Sequence, residues 1–191
     1  MSRMDDAERV QPATAAEWRA WLDEHGSGSS GAWLVTWKRH TGRATVTYDE
    51  SVSEALAVGW VDSVARRLDE DRSMLWFSPR RPTSGWSRPN KQRVERLYAE
   101  GRMGAAGQRA IDVAKRNGAW SLLDDVEDLV VPPDLAEAFG RHPGAREAWD
   151  AFPRSTRRAA LEWIVQAKRA PTRAGRIAQV AEKSGRGERP R

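Results

Sequence analysis

The chain has 191 residues, of which 39% are hydrophobic and 31% charged, a composition typical of a folded protein with one large or two small domains. It has no cysteine, which excludes disulfides, thiolate nucleophiles and cysteine-ligated metals. No apolar run is long enough to cross a bilayer, and the start MSRMDDAERVQPATAAEW lacks the apolar segment of a signal peptide. We therefore expect a cytoplasmic protein without a transmembrane segment.

The net charge of +5 is unevenly distributed along the chain. Residues 154–191 contain 11 Lys or Arg and 3 Glu, which gives +8, whereas residues 1–153 carry a net charge of −3. A solvated helical face accounts for such a run, but a basic tail also attracts nucleic acid or anionic lipid.

The first part of the chain alternates between helix and strand signals. Residues 1–13 are predicted to be a flexible arm and residues 14–82 an α+β part. Thr14 and Glu17 form a capping-box pattern for a helix that runs to His25. Asp49 is predicted to cap a second helix, whose apolar face ends at Trp60.

Four segments predict the strands of a small sheet. AWLVTWKRH (32–40) and RATVTY (43–48) are interpreted as two strands around the turn HTGR. SMLWFS (73–78) is apolar on both faces, which indicates a buried central strand, and DSVARRLDED (62–71) before it predicts another strand and a turn.

The remainder of the chain is predicted to be helical. Helices in 83–130 are expected to pack on the α+β part, followed by a helical part over 131–184 and a disordered tail over 185–191. Helix starts are predicted at Ser87, near Pro132, near Pro143, at Ser155 (a helix to Arg169) and at Thr172, with a helix of about Gln108 to Lys115 between them. The predicted fold is therefore α+β, with a small mainly antiparallel sheet first and an all-helical part second.

Standard motifs for metals, nucleotides and nucleophiles are absent from the sequence. His25, His40 and His142 do not lie at metal-ligand spacing and are interpreted as surface or loop residues. There is no G-x-G-x-x-G fingerprint, no phosphate-binding loop and no G-x-S-x-G elbow. We therefore predict no metal site and no cofactor.

Asp62 is the one candidate for a catalytic residue. The neighbouring acids in LDEDRS have the composition of an exposed turn, whereas Asp62 follows an apolar helix in GWVDS and is expected to be partly buried. A partly buried carboxylate can act as a general base. The alternative interpretation is structural, with Asp62 bonded to backbone amides or to an arginine.

An anion-binding helix start is predicted in SPRRPTSGWSRPN (78–90). The first turn of a helix exposes unpaired N–H groups and a partial positive charge, and arginines nearby would favour a phosphate or carboxylate. Trp76 is expected in the core, whereas Trp86 lies in a loop and is the best tryptophan for ligand contact. The predicted ligand-binding residues are Trp60, Asp62, Arg80, Arg81, Ser84, Trp86, Ser87, Arg88 and Asn90. The competing interpretation is that these tryptophans only build a core.

Several motifs in fixed order resemble the YdeI/OmpD-associated family, also labelled bacteriocin-protection proteins. They are GAWLVTWKR, YDESVSEALAVGWVDS, LDEDRSMLWFSPRRPTSGWSRPN, RVERLYAEGRMGAAG, VPPDL and AKRAPTRAGRI, which together cover about residues 16–181. The resemblance implies an N-terminal α+β part, a helical C-terminal part and a link to tolerance of bacteriocins or antimicrobial peptides. The family label also suggests contact with an outer-membrane porin, and the resemblance implies no known reaction.

Three hypotheses for function follow. The first is a non-catalytic binding protein that holds an unknown anionic small molecule or peptide at the helix start, with Asp62 orienting the arginines. The second is an enzyme that uses Asp62 on an arginine-held anionic substrate. The third is a nucleic-acid or anionic-surface binder that acts through the basic C-terminal tail. A surface for a protein partner also remains open.

Overall fold

The computed structural model describes residues 4–190, and the chain divides into two compact units. The first unit consists of Met1–Ser84 and Pro89–Ala119, and the second of Gly85–Arg88 and Trp120–Arg191. The first unit contains the sheet and the second is helical, so the α+β prediction is confirmed.

The first unit is built on a four-stranded sheet with the strand order β1-β2-β4-β3. Its strands are β1 (Arg9–Val10), β2 (Ala32–Trp37), β3 (Trp60–Arg67) and β4 (Arg72–Pro79). Only the β1–β2 pair is parallel, so the sheet is mainly antiparallel as predicted. The apolar strand β4 lies in the middle of the sheet, where both of its edges are hydrogen-bonded.

The first unit also contains helices. They are α1 (Ala15–His25), α2 (Tyr48–Ala57), α3 (Arg88–Ala99) and α4 (Ala105–Arg116). The fully buried ring of Trp18 on α1 packs on Phe77 of β4, with the ring centroids 5.4 Å apart. Gly107 of α4 packs closely on α2, because a Cβ atom at this position would lie 2.4 Å from the carbonyl oxygen of Ala57.

The segment between β2 and α2 differs from its prediction. Arg39–Thr41 form a short 3-10 helix, and residues 43–47 form no strand. The N-cap of α2 is Thr47 and not Asp49, because its side chain and that of Glu50 bond each other's backbone N–H groups. Trp60 starts β3 and does not belong to α2.

In the stretch predicted to be a flexible arm, the structure describes residues 4–13. Arg9 and Val10 pair with Trp33 and Leu34 of β2, and the indole of Trp33 donates a hydrogen bond to the carbonyl oxygen of Met4 over 2.7 Å. Residues 1–3 of the predicted arm lie outside the described residues.

The second unit consists of helices around its own apolar core. They are α5 (Asp124–Glu127), α6 (Pro133–Gly140), α7 (Ala145–Ala151), α8 (Arg154–Val165) and α9 (Ala170–Gly185). Helix α8 ends earlier than the predicted Arg169, and α9 starts two residues before the predicted cap at Thr172. Among the largest buried side chains are Leu135, Trp149 and Ile164.

Between residues 4 and 190, the chain forms no helix with both the length and the apolar character that crossing a membrane requires.

Candidate functional site

The nine predicted ligand-binding residues are divided between the two units. Trp60, Asp62, Arg80, Arg81, Ser84 and Asn90 belong to the first unit, and Trp86, Ser87 and Arg88 to the second.

In the second unit, two of the three residues make internal contacts. Trp86 is only 1% exposed, and its ring packs on Trp120 with the centroids 5.1 Å apart. The Arg88 guanidinium donates a 2.6 Å hydrogen bond to Asp128, and this contact raises the pKa of Arg88. Ser87 is partly buried. The Trp86 ring, expected to contact a ligand, is thus withdrawn from solvent.

In the first unit, Trp60 is part of the core and Arg81 lies on the surface. Trp60 is 2% exposed and meets the ring of Trp21 edge-on at a centroid distance of 6.0 Å. Arg81 is exposed, and its carbonyl oxygen accepts a hydrogen bond from the backbone N–H of Ser84. Trp60 therefore offers no open face to a ligand, whereas Arg81 is accessible.

Asp62 interacts with a tyrosine and an arginine. The Tyr48 hydroxyl donates a 3.1 Å hydrogen bond to Asp62 Oδ2. Partial desolvation of this hydroxyl, together with the negative charge of Asp62, raises the pKa of Tyr48. Burial lowers the pKa of Arg80 to about 10 against the opposing effect of Asp62, so the guanidinium is still positively charged at neutral pH. The negative charge of Asp62 thus acts on Arg80 as well as on Tyr48.

A second group of interacting polar side chains lies on α3 and includes Asn90. Asn90 Oδ1 accepts a hydrogen bond from Arg93 Nη1 over 3.1 Å, and the Arg93 guanidinium lies over the Tyr48 ring at 5.6 Å. Asp49, on the first turn of α2, accepts hydrogen bonds from both Arg93 (3.0 Å) and Arg96 (2.9 Å). One carboxylate of α2 thus holds two guanidiniums of α3 side by side.

These two arginines line an open groove of about 580 Å³. The other lining residues are Asp49, Pro89, Gln92, Glu95 and Ala99. We call this the α3 groove. The Arg93 side chain is 12% exposed and the Arg96 side chain 56%, so Arg96 is the cation that a molecule in the groove would meet first.

The charge of Asp49 is stabilised inside the α3 groove. Burial by itself acts to raise the pKa of Asp49, but hydrogen bonds from Arg96 and Arg93 outweigh this effect and lower it. Arg96 reaches Asp49 through a single amino group, Nη2. A guanidinium has five N–H donors in a planar fork, so Arg96 has donors left for a second oxyanion.

The residues predicted from the sequence as a site did not include Tyr48, Asp49, Arg93 and Arg96. The two arginines carry a local signal, because residues three apart share one face of a helix. Asp49 carries none, because it lies 44 and 47 residues from its two partners.

A metal centre has no basis in the described residues. Within residues 4–190, no three His, Asp or Glu side chains lie close enough together to hold a metal ion.

Two parts of the chain match the models of two different protein families. Residues 10–110, more than half of the chain, match the model of a domain of unknown function, DUF8412. Residues 128–187 match the model described as "Bacteriocin-protection, YdeI or OmpD-Associated". The YdeI/OmpD resemblance was expected over about residues 16–181, and this match confirms it for the C-terminal part.

Searches of curated proteins and of solved structures found no match. The first match includes β2 to β4, α1 to α3 and the α3 groove, and the second includes α6 to α9. The chain therefore belongs to the DUF8412 family and carries, in its C-terminal part, a match to the bacteriocin-protection, YdeI or OmpD-associated family.

Proposed function

We propose that this chain is a cytoplasmic, non-catalytic binding protein that holds an anionic small molecule or the carboxylate of a peptide in the α3 groove. The observation that carries the proposal is the pair Arg93 and Arg96, held together by Asp49 at the wall of an open groove. Planar guanidiniums bind carboxylate and phosphate oxygens in pairs, which makes these two groups the expected ligand chemistry.

Most of the lining residues have a defined part in the proposed binding. Arg96 contacts the anion through its remaining N–H donors, and Arg93, locked by Asn90 and Asp49, adds positive charge behind it. Gln92 offers an amide for a further polar contact, while Pro89 and Ala99 provide an apolar wall. The proposed site thus lies one to two turns along α3 from the helix start that the sequence predicted.

The ligand has to compete with Asp49, and this competition provides the sharpest test. Thermal unfolding should be followed with phosphate, citrate, acetate and a tripeptide with a free C-terminus as probes. A ligand at one hundred times its Kd should raise the free energy of unfolding by about 2.7 kcal/mol. Arg96→Gln should abolish the shift, whereas Asp49→Asn should strengthen binding roughly tenfold, because it removes the internal competitor.

Arg109→Gln is the matched control, because Arg109 is an exposed arginine of α4 that does not line the groove. It should leave the thermal shift unchanged. The proposal fails if no probe shifts the melting temperature, if Arg109→Gln abolishes the shift as well, or if Asp49→Asn lowers stability without strengthening binding.

We further propose that this binding contributes to tolerance of bacteriocins or antimicrobial peptides. The support is the description of the family that matches residues 128–187. Bacteria that produce the wild-type chain should survive a bacteriocin dose that kills cells producing Arg96→Gln at equal abundance. Equal survival of the two strains would contradict the tolerance proposal but not the binding proposal, which the thermal-unfolding experiment tests separately.

The enzyme alternative has less support. Asp62 does not line the α3 groove, and its side chain is engaged with the Tyr48 hydroxyl and the charge of Arg80. The raised pKa of Tyr48 keeps its hydroxyl protonated at neutral pH, which does not suit a base or a nucleophile.

The tail alternative is also less favoured. Helix α9 buries Ile177, Val180 and Ala181, so this helix packs into the core of the second unit and is not a free tail. Arg173 is paired with Asp134, and Arg186 with Glu182 and Glu188, which leaves fewer cations for nucleic acid.

A further inference from the structure

The face of the sheet opposite to α1 carries a cluster of large apolar side chains. Trp33 and Val35 of β2 and Met74 and Trp76 of β4 are each at most 8% exposed, and the two indole rings meet edge-on at 5.3 Å. Their strand neighbours Leu34 and Phe77 point to the helical face, because side chains alternate along a strand. We call these four residues the Trp33 surface.

The N-terminal arm lies on the Trp33 surface. We use the name arm for residues 4–10. Met4 and Ala7 pack on the surface together with Leu68. The Trp33 indole donates to the Met4 carbonyl (2.7 Å), and the Trp33 backbone N–H donates to the Glu8 carbonyl (2.9 Å). The arm therefore meets the sheet in the manner of an added peptide strand, with main-chain hydrogen bonds and an apolar contact.

The arm and its surroundings have complementary charges. Residues 4–8 contain Asp5, Asp6 and Glu8 and no basic residue. Arg66 lies over the Trp33 ring at 5.1 Å and pairs with Asp5 over 3.3 Å. The Glu8 carboxylate accepts a hydrogen bond from the indole of Trp21. Two carboxylates of the arm thus have defined partners on the folded unit.

The pairing of the arm with the sheet is short. Strand β1 has two residues and covers only Trp33 and Leu34 of the six-residue strand β2. Edge elements with few contacts open at low free-energy cost compared with the core. Opening of the arm would expose two indoles, a methionine and a guanidinium beside an unpaired strand edge.

We propose that the Trp33 surface is a binding site for extended acidic peptide segments of other proteins, and that the arm occupies this site when no such segment is bound. The expected partner carries an apolar side chain for the Trp33–Trp76 cluster, a carboxylate for Arg66 and a second carboxylate for the Trp21 indole. It enters by displacing the arm and adding its backbone to the edge of β2.

The test uses the full chain with the arm weakened. In the variant Asp5→Lys, Glu8→Lys, the arm is repelled by Arg66, and the milder pair Asp5→Asn, Glu8→Gln serves if the first does not fold. Two fluorescent peptides are titrated by anisotropy: MDDAERVQ, which repeats residues 4–11, and an unrelated sequence with the same apolar–acid–x–x–acid spacing. Both should bind the variant at least tenfold more tightly than the wild type.

An exchange of charges between residue 66 and the peptide tests the proposed contact of Arg66 with the peptide carboxylate. Arg66→Glu, added to the neutral arm variant Asp5→Asn, Glu8→Gln, should weaken binding of both peptides at least tenfold, and a peptide with lysine at the Asp5 position should restore it. Arg109→Glu, at an exposed position of α4, is the control for general charge effects and should leave binding unchanged.

Four results would overturn the proposal. Three of them are binding of neither peptide, binding of MDDAERVQ alone, and binding that Arg66→Glu and Arg109→Glu weaken equally. If the wild-type chain forms a dimer that the peptide dissociates, the natural occupant of the Trp33 surface would be a second copy of the chain. This result would also overturn the proposal.

Discussion

Two buried carboxylates, Glu54 and Glu127, are each held by arginines. Glu54 is 4% exposed and pairs with Arg19 and Arg102 in the first unit. Glu127 is 6% exposed and accepts a 2.8 Å hydrogen bond from Arg158 in the second. A buried charge is costly unless it is paired and hydrogen-bonded, so the arginines account for the position of both acids.

We expect Glu127 to contribute to the stability of the second unit in a pH-dependent way. The hydrogen bond from Arg158, which outweighs desolvation, lowers the pKa of Glu127. A carboxyl whose pKa is lower in the folded state stabilises the fold above its unfolded pKa, about 4.3 for Glu, and this contribution is lost as the pH falls through the folded pKa. Glu127→Gln should therefore cost about 1–3 kcal/mol at pH 7 and progressively less below about pH 4.

Urea unfolding at pH 7 and at pH 3 measures this difference. Glu147→Gln, at an exposed position of α7, is the control and should change stability by less than about 0.5 kcal/mol. A cost of Glu127→Gln that is the same at both pH values would contradict the assignment.

At the scale of the element, α2 links the fold to the proposed site. Its first turn presents Tyr48 and Asp49 to the polar groups of the first unit, and residues 51–57 are buried. The helix starts with a capping box, in which Thr47 accepts from the Glu50 N–H (3.3 Å) and Glu50 from the Thr47 N–H (2.9 Å). The direction in which Asp49 points therefore depends on this cap.

Thr47→Ala should destabilise the first unit by about 1 kcal/mol, because one N–H of the first turn loses its acceptor. It should also strengthen anion binding in the α3 groove, because an Asp49 carboxylate that no longer points at Arg96 competes less with the ligand for that guanidinium. Thr83→Ala, at an exposed loop position, is the control. Thermal unfolding and the anion titration together check both effects, and a Thr47 variant as stable as the control would show that the box contributes nothing.

The whole molecule consists of two units with separate cores, and α9 belongs to the core of the second. Ile177, Val180 and Ala181 are at most 5% exposed and pack in one cluster with Trp149 and Leu161. Most of residues 154–190 therefore lie in the folded helices α8 and α9.

Neighbouring residues of α9 should respond very differently to an added charge. Val180→Asp buries an unpaired carboxylate at a fully buried position, so it should cost more than about 3 kcal/mol and disrupt the second unit. Gln179→Asp, one residue earlier on the exposed face, should be nearly neutral. The helical circular dichroism signal in a urea titration distinguishes the two, and equal loss in both variants would contradict the packing of α9.

Much of the fold could be predicted from local patterns. The apolar spacing of α1 and the continuous apolar run of β4 were sufficient to place both elements. RATVTY was wrongly predicted as a strand, because its β-branched and aromatic residues outweighed the T-Y-D-E capping box that starts α2. The capping box was visible in the sequence, so this error was avoidable.

The sequence alone determined the class of the fold, the order of its main helices and strands, and the resemblance that the C-terminal match confirms. Only the tertiary structure decided which side chains meet. Trp86 and Arg88 pack within the second unit, Asp49 joins arginines more than forty residues away, and the acidic arm lies on Trp33. The physical reason is that periodicity and capping act over a few residues, whereas burial and ion pairing depend on contacts between distant segments.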